Sequence, residues 1–379
     1  MPQFCVLHFA LSTDEKPVYK NRFLWYTCCM KILHTADNHL GAPLIGLSPQ
    51  AAKERKEELL DAFLRTLRFA DEQGVDAVFL CGDLFDDAHP SPTLLRQVVE
   101  GIAACRAQVF YVTGNHDDGV VFPYAPDNFH RFDKGLKSYR LGEITVTGAD
   151  YDFVHGGLKL PKMDENTYNF LLLHGDIRQS FSTAKGQIDL SQVAQKNIDY
   201  LALGHIHDAP APIRLDGRGV ARYSGAPEGH GFDECGKKGF WLIETGQGLR
   251  QTFVPFALRT YHEIDLAVTG IKDGHELESA VAKAVEGLPQ TDGVKVRLKG
   301  SVSAEAKTRI EGLQRRLQEA FFAAKVVDDS LPDIDFSAYE KDKTIKGQLV
   351  RLAAQLPEGE RAQILSIAFR ALSGEDLDV

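Results

Sequence analysis

The clearest pattern in the chain is a short apolar run that ends in a glycine and two carboxylates. Residues 75–80 read VDAVFL, and Gly82, Asp83 and Asp86 follow within six positions. A run rich in apolar and β-branched residues is typical of a strand that is buried on both faces of a sheet. Open α/β sheets place their functional groups where such strands end. We therefore predict a functional edge at Asp83.

Four more apolar runs end in polar side chains. These runs are residues 31–35, 108–113, 169–173 and 199–203. The polar residues that follow them are Asp37, His39, Asn115, His116, His174, His205 and His207. Carboxylate oxygens and imidazole nitrogens are the ligands that manganese, iron and zinc bind in proteins. An ordinary solvated turn explains any one of these ends, but five ends of the same kind predict a metal site.

Helical patterns separate the first strands. Residues 48–72 place Leu59, Phe63 and Leu67 at helical spacing, and a second amphipathic helix is predicted to begin at Pro92. This alternation predicts parallel strands that are joined by right-handed helical crossovers. Alternating segments within residues 138–147 predict that the sheet turns antiparallel there.

The pattern changes near residue 258. Strands are predicted at 261–268, 294–298 and 325–327 with helices between them, and two amphipathic helices lie within 341–373. We divide the chain into an extension (1–29), a core (30–257), an α+β domain (258–338) and a helical segment (339–379). The last two helices either pack on their own domain or form a docking surface for a partner helix.

The first 29 residues differ from the rest of the chain. They lack the basic start and the continuous apolar core of a signal peptide. Met30 directly precedes the first core strand, and we predict that it is the natural start and that the preceding segment is an upstream extension. The alternative is an ordinary N-terminal arm that packs on the domain.

Composition narrows the class of protein. No apolar run in the 379 residues reaches the length of a membrane helix, and the six cysteines form no C-x-x-C pair. This cysteine usage predicts a reducing, cytoplasmic compartment. The net charge of −10 argues against binding nucleic acid through indiscriminate positive charge. Local contact with DNA is still compatible with this net charge, because part of the negative charge lies in the candidate metal ligands.

Five motifs occur in a fixed order over residues 31–245: D-x-H, G-D-x-x-D, G-N-H-D, H-G and G-H-x-H. Together they resemble the calcineurin-like metallophosphoesterase superfamily. The resemblance implies an α/β fold with a β-sandwich core flanked by helices, a small α+β capping domain and C-terminal helices. It also implies two divalent metal ions, with manganese expected and iron or zinc as alternatives. The implied ligands are Asp37, His39, Asp83 and His207 for one ion and Asp83, Asn115, His174 and His205 for the other.

The resemblance assigns catalytic roles to two further residues. His116 would protonate the leaving oxygen or stabilise charge in the transition state, and Asp86 would orient it. Many DNA-repair members carry a histidine where this chain has Asp86. We do not expect His89 to replace that histidine, and we expect His230 to be a surface residue of a flexible loop.

The segments A-D-x-H-L-G, G-D-L-F-D and S-G-A-P-E-G resemble the shorter bacterial branch of the SbcD-like exonucleases. That resemblance implies a manganese-dependent nuclease of DNA repair that acts on DNA ends, with a second domain that caps the site. It also implies an SMC-like ATPase partner bound by the C-terminal helices, and a homodimer. Two alternatives stay open: a phosphodiesterase or phosphatase of nucleotides or small phosphoesters, and an ATPase-binding scaffold with a vestigial metal site.

Overall fold

A computed structural model of the chain describes residues 29–44, 47–133, 135–155, 157–178, 187–333 and 336–372. The predicted N-terminal extension lies outside these ranges apart from its last residue, Cys29. Within the described ranges, no helix combines the length and the apolar character that crossing a membrane requires.

The strands and helices alternate through the first part of the chain. The strands are β1 (Lys31–Thr35), β2 (Ala77–Cys81), β3 (Gln108–Val112), β4 (Phe129–Arg131), β5 (Lys137–Leu141), β6 (Ile144–Gly148), β7 (Tyr168–His174), β8 (Asp176–Arg178), β9 (Gln187–Asp189), β10 (Tyr200–Gly204), β11 (Ile213–Arg214), β12 (Val220–Tyr223), β13 (Gly239–Glu244), β14 (Arg250–Pro255), β15 (Tyr261–Ala267), β16 (Gly293–Val302) and β17 (Ala323–Pro332). The helices are α1 (Pro49–Glu72), α2 (Pro92–Ala104), α3 (Tyr151–His155), α4 (Gly274–Ala284), α5 (Ala304–Lys307), α6 (Ile310–Ala320), α7 (Ile345–Ala353) and α8 (Glu358–Leu372).

Two six-stranded sheets pack face to face and form a sandwich. Their strand orders are β14-β13-β1-β2-β3-β4 and β11-β12-β10-β7-β6-β5. Phe79 and Phe110 of the first sheet meet Phe170 and Tyr200 of the second in a shared apolar core. Helices α1 and α2 cover the outer face of the first sheet through side chains such as Phe63 and Val98. This arrangement confirms the predicted α/β fold class, and β5 and β6 pair antiparallel as predicted.

The first two helices begin at similar sequence signals. Ser48 precedes Pro49 at the start of α1, and its hydroxyl accepts a hydrogen bond from the Ala51 amide at 3.2 Å. Ser91 and Pro92 repeat the arrangement at α2. A serine cap satisfies a free amide, and proline at the first helical position loses no helical hydrogen bond. These caps fix where the chain leaves the sheet edge and turns into each helix.

Parallel pairing brings the predicted strand ends together. β1, β2 and β3 are parallel neighbours in one sheet, and β7 and β10 are parallel neighbours in the other. The carboxyl ends of parallel neighbours lie at one edge of a sheet. Because β2 also contacts β7 and β10 across the sandwich, all five ends meet in one region.

The chain after residue 258 forms a smaller sheet with its own core. β15, β16 and β17 run parallel in that order, and Leu277, Leu298 and Leu313 belong to the core between the sheet and its helices. β17 has ten residues, whereas the sequence predicted a strand of three at this place. Asp328 and Asp329 interrupt its apolar pattern, yet both pair in register with β16. Backbone pairing therefore extends this strand beyond its hydrophobic part.

A buried charge cluster joins α1 to the later parts of the chain. The Arg55 guanidinium is fully buried and donates hydrogen bonds of 2.7 Å to both the Glu228 carboxylate and the Gly229 carbonyl. Arg259 donates to Glu58 at 2.8 Å, and its guanidinium lies 3.6 Å from the centre of the Phe322 ring. The cluster therefore attaches both the loop at Glu228 and the smaller sheet to one helix of the core.

We expect Arg55→Met to destabilise the protein by about 3 kcal/mol, because it removes the closest cation from the buried Glu228 carboxylate and leaves it only Arg65 at 3.3 Å and the Leu258 amide. The matched control is Arg68→Met on the same helix. The Arg68 side chain is 58% exposed and pairs with Asp61, and loss of such a surface pair costs at most about 1 kcal/mol. Urea unfolding of both variants measures the difference. Equal losses would show that the Arg55 pair is no more important than a surface pair.

Candidate metal centre

Four of the predicted ligands lie where the backbone adopts an uncommon conformation. The φ angles of Asp37, His39, Asp83 and His205 are 54°, 44°, 49° and 100°. Residues other than glycine rarely adopt positive φ, and they do so mainly where surrounding contacts hold them at functional sites. Here the amides of Asp37 and His39 donate to the carbonyls of Gly82 and Asp83 at 3.1 and 3.0 Å. These bonds hold the β1 and β2 ends against each other.

Glycines at the strand ends allow this close approach. A Cβ atom on Gly82 would lie 2.2 Å from the His174 ring, and one on Gly204 would lie 2.0 Å from the Cys81 carbonyl oxygen. Gly82 also has a φ of +87°, which favours glycine. The glycines before Asp83 and His205 are therefore needed for packing at the site.

Asp117 explains the fourth position of the G-N-H-D motif. Its carboxylate is fully buried and accepts 2.7 Å hydrogen bonds from the amides of Gly114 and Leu84 and from the Tyr111 hydroxyl. Burial raises the pKa of Asp117, and these hydrogen bonds act in the opposite direction and lower it. The carboxylate connects the β2 and β3 ends and so holds Asp83 and Asn115 near each other.

The first predicted ligand set lies together. Donor atoms of Asp37, His39 and His207 all lie within 4.8 Å of one another. The His39 Nε2 atom is 3.2 Å from His207 Nε2 and 3.7 Å from Asp83 Oδ2. These four residues come from β1, β2 and β10, so the site depends on the packing of both sheets.

The second set shares Asp83 with the first. His174 Nε2 lies 3.2 Å from Asp83 Oδ2, and Asn115 Oδ1 lies 3.1 Å from both His174 Nε2 and His205 Nδ1. Donor atoms of Asp83, His174 and His205 lie within 4.8 Å of one another. The structure therefore brings all seven predicted ligands into two adjoining groups with Asp83 between them.

The spacing and the charges of these donors suit divalent cations. Ligands that bind one cation at about 2.1 Å stand roughly 3–3.5 Å apart, which is close to the separations in both groups. Burial alone would raise the pKa of Asp83, but its hydrogen bond to His174 holds it at about 2. Burial alone would lower the pKa of His174, but Asp83 and Asp37 raise it to about 9. The nitrogen and oxygen donor set suits manganese, iron and zinc alike.

In two of the ligating histidines, the ring nitrogen that faces away from the two groups has a partner of its own. His207 Nδ1 lies 2.6 Å from Glu234 Oε1, and His174 Nδ1 lies 2.8 Å from the Cys81 carbonyl oxygen. Such partners fix the tautomer and the orientation of a ligating imidazole. The Glu234 bond also raises the pKa of His207, against the opposing effect of burial.

Asp86 and His116 are arranged differently from the predicted pair. The Asp86 carboxylate lies 3.0 Å from His39 Nδ1 and 3.8 Å from His116 Nδ1. His116 Nδ1 instead lies 3.0 Å from the Asp86 carbonyl oxygen. Asp86 therefore orients His39 with its side chain and His116 with its backbone. The His116 side chain is 41% exposed, so it can meet a substrate above the ligands.

The expectation that His230 lies on the surface was wrong. Its side chain is only 14% exposed, its Nδ1 lies 2.9 Å from Glu234 Oε2, and its ring centre is 5.2 Å from that of His39. The buried bond from Arg55 to the Gly229 carbonyl holds this loop inward. By contrast, His89 is exposed and pairs with Asp87 at 3.5 Å, away from both ligand groups.

Sequence reasoning missed Glu234, which had no motif to mark it. Its only signal is a carboxylate four residues after His230. The donor atoms of His207, His230 and Glu234 also lie within 4.8 Å of one another. Because Glu234 occupies Nδ1 of His207 while Nε2 faces His39, we interpret this trio as support for His207 rather than as another cation site.

A cleft of about 870 Å³ lies over the ligand groups. Its core side is lined by His39, Asp83 and His116, among others. Its opposite side is lined by Gln314 and Gln318 of α6 and by residues 324–326 of β17. The smaller sheet therefore forms one wall of the candidate site.

Comparisons with known proteins concern the same part of the chain. Residues 30–209 match the family model of the calcineurin-like phosphoesterases. The matched stretch contains all seven predicted ligands. A solved structure, a dimetal phosphatase from Danio rerio, is similar with a TM-score of 0.42 and 11% identity, over 60% of this chain and 99% of that one. The family match and the Asp/His groups together suggest metal-dependent hydrolysis of phosphoesters.

Asp83→Ala and His116→Ala separate metal binding from turnover. We expect Asp83→Ala to lose both bound metal and activity, because its carboxylate faces both ligand groups. His116→Ala should retain metal and lose about 10²- to 10⁴-fold in turnover, the usual contribution of a general acid. Metal content by mass spectrometry and hydrolysis of bis(p-nitrophenyl) phosphate give the two readings. Loss of metal from His116→Ala would make His116 a ligand.

Glu234→Gln tests the support of His207. Removing the charge that orients a ligating histidine typically lowers metal affinity about 10- to 100-fold. Calorimetric titration with Mn²⁺ measures that affinity, and thermal unfolding checks the fold. The matched control is Asp233→Asn, which neutralises an exposed carboxylate on the same loop and should change affinity by less than about threefold. Equal affinities for Glu234→Gln and the unaltered protein would contradict the assignment.

Proposed function

We propose that this protein is a manganese-dependent exonuclease that hydrolyses phosphodiester bonds at DNA ends. The observation that carries the proposal is the wall opposite the ligand groups, to which α6 and β17 contribute. An enzyme for small phosphoesters has little need of a second unit at this position. A wall over the ligand groups restricts how a long duplex approaches them. Hydrolysis at DNA ends is therefore favoured over hydrolysis within a continuous duplex.

The residues of the site suit this reaction. Two divalent cations in the ligand groups would neutralise charge on the phosphoryl oxygens and lower the pKa of the attacking water. The shared carboxylate of Asp83 would keep the two cations adjacent. His116, which is exposed to the cleft and held by the Asp86 carbonyl, donates a proton to the leaving oxygen.

The C-terminal helices support the proposed partner, an SMC-like ATPase. α7 and α8 pack against each other through residues that include Val350, Leu365 and Phe369. Ile345 and Leu352 of α7 are large apolar residues that remain exposed. An exposed apolar stripe of this kind suits a helix of a partner protein, and we propose that the ATPase supplies it.

One observation favours the alternative, a phosphodiesterase or phosphatase for nucleotides or other small phosphoesters. Two basic residues near β4 and β5, Arg131 and Lys137, share one carboxylate of the protein, Asp133. Lys137 pairs with Asp133, and the Arg131 guanidinium lies 4.7 Å from the centre of the Phe122 ring. These cations therefore offer little free charge to a DNA backbone.

Hydrolysis assays with Mn²⁺ distinguish the two functions. The substrates are linear duplex DNA, closed circular duplex, mononucleotides and bis(p-nitrophenyl) phosphate, each with Asp83→Ala as control. We expect nucleotides to be released from linear DNA only, with no release by the control protein, because the wall excludes continuous duplex. Turnover of mononucleotides with linear DNA left intact would support the phosphatase and reject the nuclease.

A further inference from the structure

The cleft wall opposite the ligand groups is built on an edge strand, and a side chain of α6 bonds two of that strand's outer backbone groups. β17 is the outer strand of its sheet, and Gln314 of α6 lies along its free side. The side-chain amide nitrogen of Gln314, Nε2, donates to the backbone carbonyl of Ala324 at 2.7 Å. The backbone amide of Val326 donates to the side-chain oxygen of Gln314, Oε1, at 2.6 Å. The segment around Lys325 is therefore held by side-chain bonds as well as by its strand partner.

Lys325 lies on the face of this sheet that is turned away from α6. Ala324 and Val326 belong to the core shared with the helices, and side chains alternate along a strand. Lys325 pairs in register with Lys295, whose ammonium lies 3.0 Å from Glu263 Oε1. Lys325 itself is exposed and makes no ion pair with any residue that the structure describes.

The charge of Lys325 is unusual for its position. The carboxylates that line the cleft are Asp83, Asp86, Asp233 and Glu234. Among the described lining residues, Lys325 is the one lysine or arginine. Divalent cations in the ligand groups would engage the phosphate that is hydrolysed, on the other side of the cleft. Lys325 is thus placed for a second, separate anion.

From this placement we infer that Lys325 binds a DNA backbone phosphate other than the hydrolysed one and so selects polynucleotides over single phosphoesters. The inference rests on the proposed nuclease function. A simple monoester lacks a neighbouring phosphate and gains nothing from this contact. A strand that crosses the cleft has a phosphate at every nucleotide, so one can meet Lys325 whatever the base sequence.

The test compares Lys325→Glu and Lys325→Gln with Lys283→Glu, which changes an exposed lysine on α4 away from the cleft. Steady-state kinetics with Mn²⁺ are measured on a linear duplex at several salt concentrations and on bis(p-nitrophenyl) phosphate. We expect Lys325→Glu to lower kcat/KM for DNA about tenfold relative to the small diester, mainly through KM. The slope of log KM against log salt concentration should become smaller by about 0.9, which is the contribution of one phosphate contact. Lys325→Gln should give a smaller change in KM, and Lys283→Glu should match the unaltered protein.

Three results would overturn the inference, and they differ from one another. If the unaltered protein hydrolyses DNA and Lys325→Glu keeps its KM and salt dependence, Lys325 does not contact the backbone. If Lys325→Glu loses the same factor on both substrates, the residue acts through the ligand groups or the fold. If the unaltered protein hydrolyses the small diester but not DNA, the nuclease proposal fails and this inference falls with it.

Discussion

The site depends on placing two buried carboxylates, Asp37 and Asp83, beside each other where two sheets meet. Removing a carboxylate from water costs several kcal/mol unless nearby groups compensate the charge. His174 lies against Asp83, while the amides of His205 and His116 donate to Asp37 and Asp83 at 2.9 Å. The positive φ angles and the close-packed glycines serve this one requirement, because they bring amides and imidazoles within reach of both acids. Divalent cations would complete the compensation.

Much of the site could be predicted because its residues follow strands that are parallel neighbours. Asp83 comes at the end of an apolar run, and pairing in register carries it to Asn115 on one side and Asp37 on the other. Glu234 could not be predicted, because its contact with His207 depends on the path of a loop. The full length of β17 could not be predicted from the sequence either, because Asp328 and Asp329 are held in the strand by backbone pairing rather than by burial. The spacing of apolar residues predicts which positions are buried. It does not predict contacts that depend on the path of a loop or on backbone pairing.

The Arg55 cluster connects two parts of the protein that the sequence presents as separate. Through Gly229 it holds the loop that carries His230 and Glu234, and the same helix binds Arg259 at the start of the smaller unit. The Arg259 guanidinium donates to Glu58 through two nitrogens, and such a bidentate contact fixes both the distance and the angle of its partner. The support of His207 and the position of the cleft wall therefore share one attachment to α1. Displacement of that helix would disturb the ligand groups and the wall together.

Under the proposed nuclease function, the uneven distribution of charge would allow an acidic protein to act on a polyanion. With a net charge of −10, the whole molecule does not attract DNA over long distances. Much of the local acidity lies in Asp37, Asp83 and their neighbours, where bound cations would reverse its effect on a phosphate. Most described cations of the smaller sheet are paired, as Lys299 is with Asp265 at 2.7 Å. In that proposal, recognition would depend on whether phosphates reach two fixed points, the ligand groups and Lys325, rather than on the overall field of the protein.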